Sequence, residues 1–353
     1  MPVTNFLSMS MPIKYLPLLF LCFFLTACNE TKEEAQAKPV EKTAPAVIEK
    51  ETEPEKTVIP AILGLVTGSS SGTYIKFGDD IARVATQADI KILVKESGGS
   101  LDNVRRINSS ENAALGIVQS DVLGYLSRHP QHALRKFVAP LRLILPLYNE
   151  EVHLFARKNI RDMTDLQGKQ VITGGKGSGT FLTAHNLLAL LDITPAETLD
   201  LPPTKALMAV LRNEADAMFY VAGKPVDLFK RLNKLQQDPE LAPLLKETHF
   251  VALDNPVFFK EYSKAKLTPK DYPWLQKTIN TIAVKALLVG YNFSSRKDAY
   301  YAARCDQLAQ LTQVLHGKLT ELRRKGHPKW REVKNTARYG KWRRNQCTDK
   351  AVK

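Results

Sequence analysis

Two stretches of this 353-residue chain carry glycines and hydroxyl side chains in the same order. Thr67-Gly68-Ser69-Ser70-Ser71-Gly72-Thr73-Tyr74 follows apolar Leu63-Gly64-Leu65-Val66, and Thr173-Gly174-Gly175-Lys176-Gly177-Ser178-Gly179-Thr180-Phe181 follows Val171-Ile172. Each then runs into a helical pattern. A glycine- and serine-rich turn between strand and helix presents backbone N–H groups at the positive end of the helix, where an anion is stabilised. The chemistry on offer is binding, with Ser71, Gly72, Thr73, Ser178, Gly179 and Thr180 as donors and Tyr74 and Phe181 packed just inside the helix starts. Ser and Thr also favour helix starts as plain caps. Two copies in corresponding places favour a site.

Other chemistries fit less well. Gly68-Ser69-Ser70-Ser71-Gly72 matches the G-x-S-x-G nucleophile elbow, which would make Ser70 the nucleophile of an exported serine hydrolase. The second copy, Gly175-Lys176-Gly177-Ser178-Gly179, has Gly where that nucleophile belongs, and none of the seven histidines has a catalytic sequence context. A phosphate loop needs Lys followed by Ser or Thr after its last Gly, whereas Lys176 precedes Gly177. The dinucleotide spacing fails as well, so no cofactor is expected. Lys176 and Lys205 remain as charge partners for an anion.

The elements that must hold these turns alternate between strand and helix. Strands are expected at 61–67, 90–96, 113–119, 152–157, 170–173, 217–221 and 249–253, with helices at 74–87, 101–109, 181–191 and 204–211 and a helix starting at 122. That alternation predicts an α/β fold with parallel sheets flanked by helices. Ligands of such sheets bind beyond the carboxyl ends of the strands. Gln119, Ser120 and Asp121 close one strand, and Tyr220 lies near the end of another. These strand ends add candidate contacts to the two turns.

The ends of the chain set its expected compartment. Lys14, the apolar run from Leu16 to Leu25 and Leu25-Thr26-Ala27-Cys28 read as a secretory signal. Leu-Thr-Ala-Cys resembles the bacterial lipobox, which makes Cys28 the lipidation site. Residues 28–57, rich in Lys, Glu, Ala, Thr and Pro, read as a disordered tether. Cys305 and Cys347 are left as a disulfide or as two separate thiols; their spacing matches no zinc pattern. The formal charge of +14 is local, since residues 321–353 hold twelve Lys/Arg and three acids. For an exported chain such a tail suits anionic lipid or an acidic partner better than nucleic acid, or it is a solvated face.

Taken in order, Thr67 to Tyr74, Gly98-Gly99-Ser100-Leu101-Asp102-Asn103-Val104-Arg105, Gly116-Ile117-Val118-Gln119-Ser120-Asp121, Leu166-Gln167-Gly168-Lys169, Gly177-Ser178-Gly179-Thr180 and Ala215 to Pro225 resemble one family. They are similar to the TAXI family of TRAP-transporter solute-binding subunits. The resemblance runs from about residue 62 to 254 and more weakly to 290. It implies a two-lobed periplasmic-binding-protein type II-like fold with a hinged cleft. Lobe 1 would span 58–150, completed by about 254–297, lobe 2 would span 151–253, and 298–353 would be a basic, mainly helical extension. It also implies a non-enzymatic receptor, lipid-anchored on the periplasmic face of the envelope, that delivers a glutamate- or dicarboxylate-like anion to a membrane permease. A membrane sensor served by the same fold is the alternative. The implied ligand contacts are Ser69, Ser71, Gly72, Thr73, Tyr74, Ser97, Ser100, Gln119, Ser120, Lys176, Ser178, Gly179, Thr180, Phe181 and Tyr220. Lys176 departs from the family's pattern of small uncharged residues, and it is the position expected to set ligand preference.

Overall fold

The computed structural model describes residues 62–107, 113–336 and 338–348. The expected signal segment, the tether and Cys28 lie outside the described residues. In chain order the elements are β1 (Ile62–Val66), α1 (Thr73–Ala85), β2 (Lys91–Lys95), α2 (Ser100–Arg106), β3 (Ala113–Gln119), α3 (Ser120–Arg128), α4 (Arg135–Val138) and β4 (Leu141–Arg157). Then come β5 (Gln170–Ile172), α5 (Gly179–Leu190), β6 (Glu197–Leu199), α6 (Pro203–Leu211), β7 (Ala217–Ala222), α7 (Asp227–Lys230), α8 (Leu232–Leu235) and α9 (Leu241–Lys246). The chain continues through β8 (Thr248–Phe250), β9 (Ser263–Leu267), β10 (Ile279–Tyr291), α10 (Ala299–Gly317) and α11 (Leu319–Lys325).

The strands follow the order β2-β1-β3-β10-β4-β7-β5-β6, with β8 beside β4 and β9 beside β10. In one half β1 is parallel to β2 and β3; in the other β5 is parallel to β6 and β7. Two long antiparallel strands cross between the halves. β4 pairs with β10 from 141 to 151 and with β7 from 151 to 156. β10 pairs with β9 from 279 to 283 and with β3 from 286 to 290. The result is the expected α/β fold, with a mixed sheet in two lobes joined by shared strands.

Burial explains why each half holds. Helix α1 lines up Tyr74, Phe77, Ile81, Val84 and Ala85 on one buried face, the spacing of a single helical stripe. That face meets Leu63 and Leu65 of β1, Leu115 and Ile117 of β3, and Leu308, Leu311 and Leu315 of α10. A fully buried side chain of this size contributes about 1.5–3 kcal/mol. The second half gathers Leu154, Leu187, Phe219, Phe258, Tyr262 and Ile282. The helical extension therefore covers the sheet face of the first half, while Phe258 and Tyr262 pack with the second.

Cys305 and Cys347, 42 positions apart in the sequence, are joined as a disulfide with Cα atoms 5.0 Å apart. The bond ties the end of the chain to α10. A cross-link closing a loop of that length stabilises by about 2–4 kcal/mol, chiefly by restricting the unfolded chain.

Candidate functional site

The carboxyl ends of β1, β3, β5 and β7 face one another across a cavity of about 350 Å³. The two doubled turns form opposite walls. In the first, Gly72 N–H donates to Ser69 O (2.9 Å), and Gly72 stands as the helix-start residue before α1 without a side-chain cap. In the second, Ser178 Oγ accepts from Phe181 N–H (3.1 Å), a true cap of α5. Both helices begin at the cavity, and the first N–H groups of a helix lack intrahelical partners.

A polar frame fixes these walls. Buried Asn103 donates through Nδ2 to Thr67 O (2.6 Å) and Ile117 O (2.8 Å), tying the ends of β1 and β3 together. Ser97 Oγ donates to Asn103 Oδ1 (2.6 Å), and Ser100 Oγ accepts from Gln119 N–H (3.1 Å). Across the cavity Thr180 Oγ1 accepts from Val221 N–H of β7 (3.1 Å). The halves touch directly: Asp102 N–H donates to Gly177 O (3.0 Å), and Thr183 Oγ1 donates to Asp121 Oδ2 (2.7 Å). Gly99, at φ +108°, faces Ser178, and a Cβ there would lie 3.1 Å from Ser178 Cα. This is a closed arrangement.

Eleven of the sequence-derived candidates line the cavity: Ser69, Gly72, Thr73, Tyr74, Ser97, Ser100, Gln119, Ser178, Gly179, Thr180 and Tyr220. Four do not. Ser71 is exposed and faces a neighbouring cavity. Ser120 Oγ is taken up by Lys285 N–H (3.1 Å), because Ser120 opens α3 beneath β10. Phe181 lies over His185, one helical turn along α5, with ring centroids 4.1 Å apart. Lys176 sits at the tip of its turn, exposed, with its backbone N–H directed to Asp200. Its side chain is not part of the wall, and Lys205 is likewise exposed and absent from it.

Sequence reasoning missed Glu150. It is 3% exposed, lines the cavity from β4, and its Oε2 accepts from Tyr74 Oη (2.7 Å). Burial pushes its carboxyl up to about 8, with hydrogen bonds from Tyr74 and Gln119 opposing and the nearby Asp121 and Glu151 charges adding. It is therefore protonated at neutral pH and can offer a donor. Among the described residues, no Lys, Arg or His lines this cavity. An anion here would be held by backbone N–H groups, hydroxyls and a neutral acid, against an apolar wall of Ile172, Leu201, Pro202, Met218 and Phe219. Asp200 is the one other carboxyl in the lining, turned to Lys176 N–H (3.4 Å).

Glu150 also makes the free protein's stability depend on pH. Its pKa is raised from 4.5 in the open chain to about 8 in the fold. The fold thus keeps a proton that the unfolded chain has released, and stability falls as pH rises through that window. Asp121, raised by burial to about 6, acts in the same direction but only below that pH. Buried His153, lowered from 6.5 to about 3, acts oppositely and only below 6.5. Between pH 6.5 and 8 Glu150 should lower the unfolding free energy by about 1–2 kcal/mol, and Glu151, also raised by burial, acts in the same direction. In Glu150→Gln the curve should flatten by that amount; urea titrations at pH 6.5, 7 and 8 check it, and an unchanged slope would remove Glu150 as the cause.

The sequence pattern of the NMT1-like family matches residues 65–334. Among solved structures the chain is similar to XAC2383 from Xanthomonas citri bound to chloride ion, at 10% identity, covering 83% of this chain and 95% of that one with a TM-score of 0.45. It is similar to MatC from Rhodopseudomonas palustris with bound malate, at 16% identity, covering 74% and 89% with a TM-score of 0.42. It is also similar to the periplasmic binding protein BugD, at 10% identity, covering 77% and 85% with a TM-score of 0.43.

Proposed function

The chain belongs to the NMT1-like family, and we propose that it is an extracytoplasmic solute-binding receptor that holds a small organic anion between its two lobes. In this reading the protein is anchored through Cys28, performs no chemical step, and delivers the solute to the membrane permease of a TRAP-type transporter. The observation that carries the reading is the cavity enclosed where α1 of one half and α5 of the other both begin. Helix starts, hydroxyls and protonated Glu150 suit a carboxylate such as one end of a glutamate- or dicarboxylate-like acid. The apolar wall suits its carbon chain. Ser70, the nucleophile of the hydrolase alternative, is exposed and lies outside the wall.

Heating the full chain with a panel of small organic acids should raise apparent stability for at least one. The gain is RT ln(1 + [L]/Kd), about 2.7 kcal/mol at a hundredfold excess over Kd. Ser178→Ala combined with Thr180→Ala removes the α5 cap and the tie to Val221, and should weaken that acid about tenfold, or roughly 1.4 kcal/mol. Ser70→Ala should leave binding unchanged. Ester turnover that disappears in Ser70→Ala would instead make this a hydrolase. Uptake of the same acid into vesicles holding the permease, driven by an ion gradient, separates transport from delivery to a membrane sensor.

A further inference from the structure

A second cavity, of about 530 Å³, adjoins the first and shares Gly72, Thr73, Pro203 and Tyr220 with it. Its character is the reverse. Six cationic side chains line it: Lys76, Lys224, Lys230, Arg231, Lys329 and Arg331, against the carboxylates of Asp227 and Glu332. Three separate parts of the chain supply them: α1, the segment from the end of β7 into α7, and the helical extension.

The ion pairs leave charge over. Asp227 takes both Lys76 and Lys230, each at 3.0 Å. Lys224 pairs with Asp271 at 2.9 Å. Lys329 pairs with Glu151 at 3.0 Å and Glu332 at 2.8 Å. With Asp271 and Glu151 counted although they lie outside the wall, four carboxylates face six cations. No carboxylate partner is found among the described residues for Arg231 or Arg331. The start of α1, at Ser71, Gly72 and Thr73, adds its positive end to the same wall. His327, also in the wall, is held below its ordinary range, by burial first and by the Lys76 charge next.

A concave wall with unmatched guanidinium groups and a helix start favours an oxyanion, since Arg presents parallel N–H donors to carboxylate or phosphate. We infer that this cavity is a second anion site that takes a phosphate- or carboxylate-type oxyanion, with Arg231 and Arg331 as its principal ligands. For a free anion the inference stands independently of what the first cavity holds; for a two-headed solute it rests on the proposed function. Because the cavities adjoin, the oxyanion has two sources: a free anion, or the far end of a two-headed solute whose near end occupies the first cavity.

Titration of the full chain with potassium phosphate, against potassium chloride at matched ionic strength, tests the free anion by thermal shift and calorimetry. Binding should be saturable, and Arg231→Gln with Arg331→Gln should raise the apparent Kd at least tenfold. Both arginines are exposed, so the variant should keep its fold; Arg231→Lys with Arg331→Lys should recover part of the affinity. The second arm compares acetate with a long α,ω-dicarboxylate. Tighter binding of the dicarboxylate, lost in the double Gln variant and competing with phosphate, assigns the site to the solute's far end. Additive binding of phosphate and the dicarboxylate assigns it to a free anion. Absence of saturable binding for both probes, or binding unaffected by the double Gln variant, overturns the site.

Discussion

Gly179→Ala should lower the affinity for the organic acid of the proposed function by about a hundredfold, or roughly 2.7 kcal/mol, while leaving the unliganded fold intact. Gly179 opens α5 and is buried, and a Cβ built there would overlap the side-chain carboxamide of Gln119 in the opposite half. Gln119 is itself 3% exposed, with its backbone N–H on Ser100 Oγ and its side chain hydrogen-bonded to Glu150. Moving the carboxamide forfeits that bond and swings it into the cavity it lines. The other relief is for the halves to part at the contact between Asp102 and Gly177. Either outcome removes the closed cavity. Alanine is the better helix former by about 1 kcal/mol, so the helix itself should not suffer. Calorimetric titration of wild type and variant with the same acid decides the matter: affinity within threefold of wild type would mean that Gln119 does not hold the closed state.

What was legible in the sequence and what was not divide along the range of the interactions involved. The strand 113–119 was expected with the bounds it has, and α1, α5, α6 and β7 lie within two residues of expectation, because each has its own apolar period and its own turn. The paired strand ends were legible for the same reason. The crossing strands were not: β10 was missed entirely, and β4 was expected only from 152, whereas it begins at Leu141. Pro146 sits inside that strand, where a proline argues against central pairing. The structure tolerates it because the register shifts between Lys285 and Leu287 opposite it. The site contact missed with them, Glu150, stands beside Glu151 in the sequence, and a pair of acids reads as solvated surface. Their partners lie far along the chain, Tyr74 for the one and Lys329 for the other. Lys176 departs in the opposite sense: a charge at the tip of a glycine turn is adjacent in sequence to the wall, but it is exposed and lies outside the lining.

Lys329→Met should cost about 3–5 kcal/mol of stability near pH 8, the expected penalty for leaving a buried charge without its partner. Within a tail rich in Lys and Arg this residue reads as one more solvated cation, yet its side chain is 3% exposed and that of Glu151 is 4% exposed. Its Nζ donates to Asn149 O (2.9 Å) and to both oxygens of Glu151 (3.0 and 3.1 Å). Glu151 also accepts from Lys224 N–H (2.8 Å), so one carboxylate ties the extension, the crossing strand β4 and the segment after β7 together. Burial pushes the Glu151 carboxyl up and the Lys329 ammonium pulls it down. Without the ammonium only the Lys224 N–H bond still opposes burial, so the carboxyl should shift further up and take up a proton as pH falls. The folded variant then holds a proton the unfolded chain lacks, so the penalty should be largest at pH 8 and shrink toward pH 5. Lys329→Met with Glu151→Gln should recover more than half of the loss, since removing both charges leaves no buried ion unpaired, and Glu332, the other carboxylate on Lys329, is exposed to water. Urea denaturation of the three proteins at pH 5 and 8 measures this directly. A penalty under about 1 kcal/mol at pH 8, or no recovery in the double variant, would mean that water or backbone groups satisfy Glu151. The extension would then merely cover the first half, without bracing the strand that joins the two lobes.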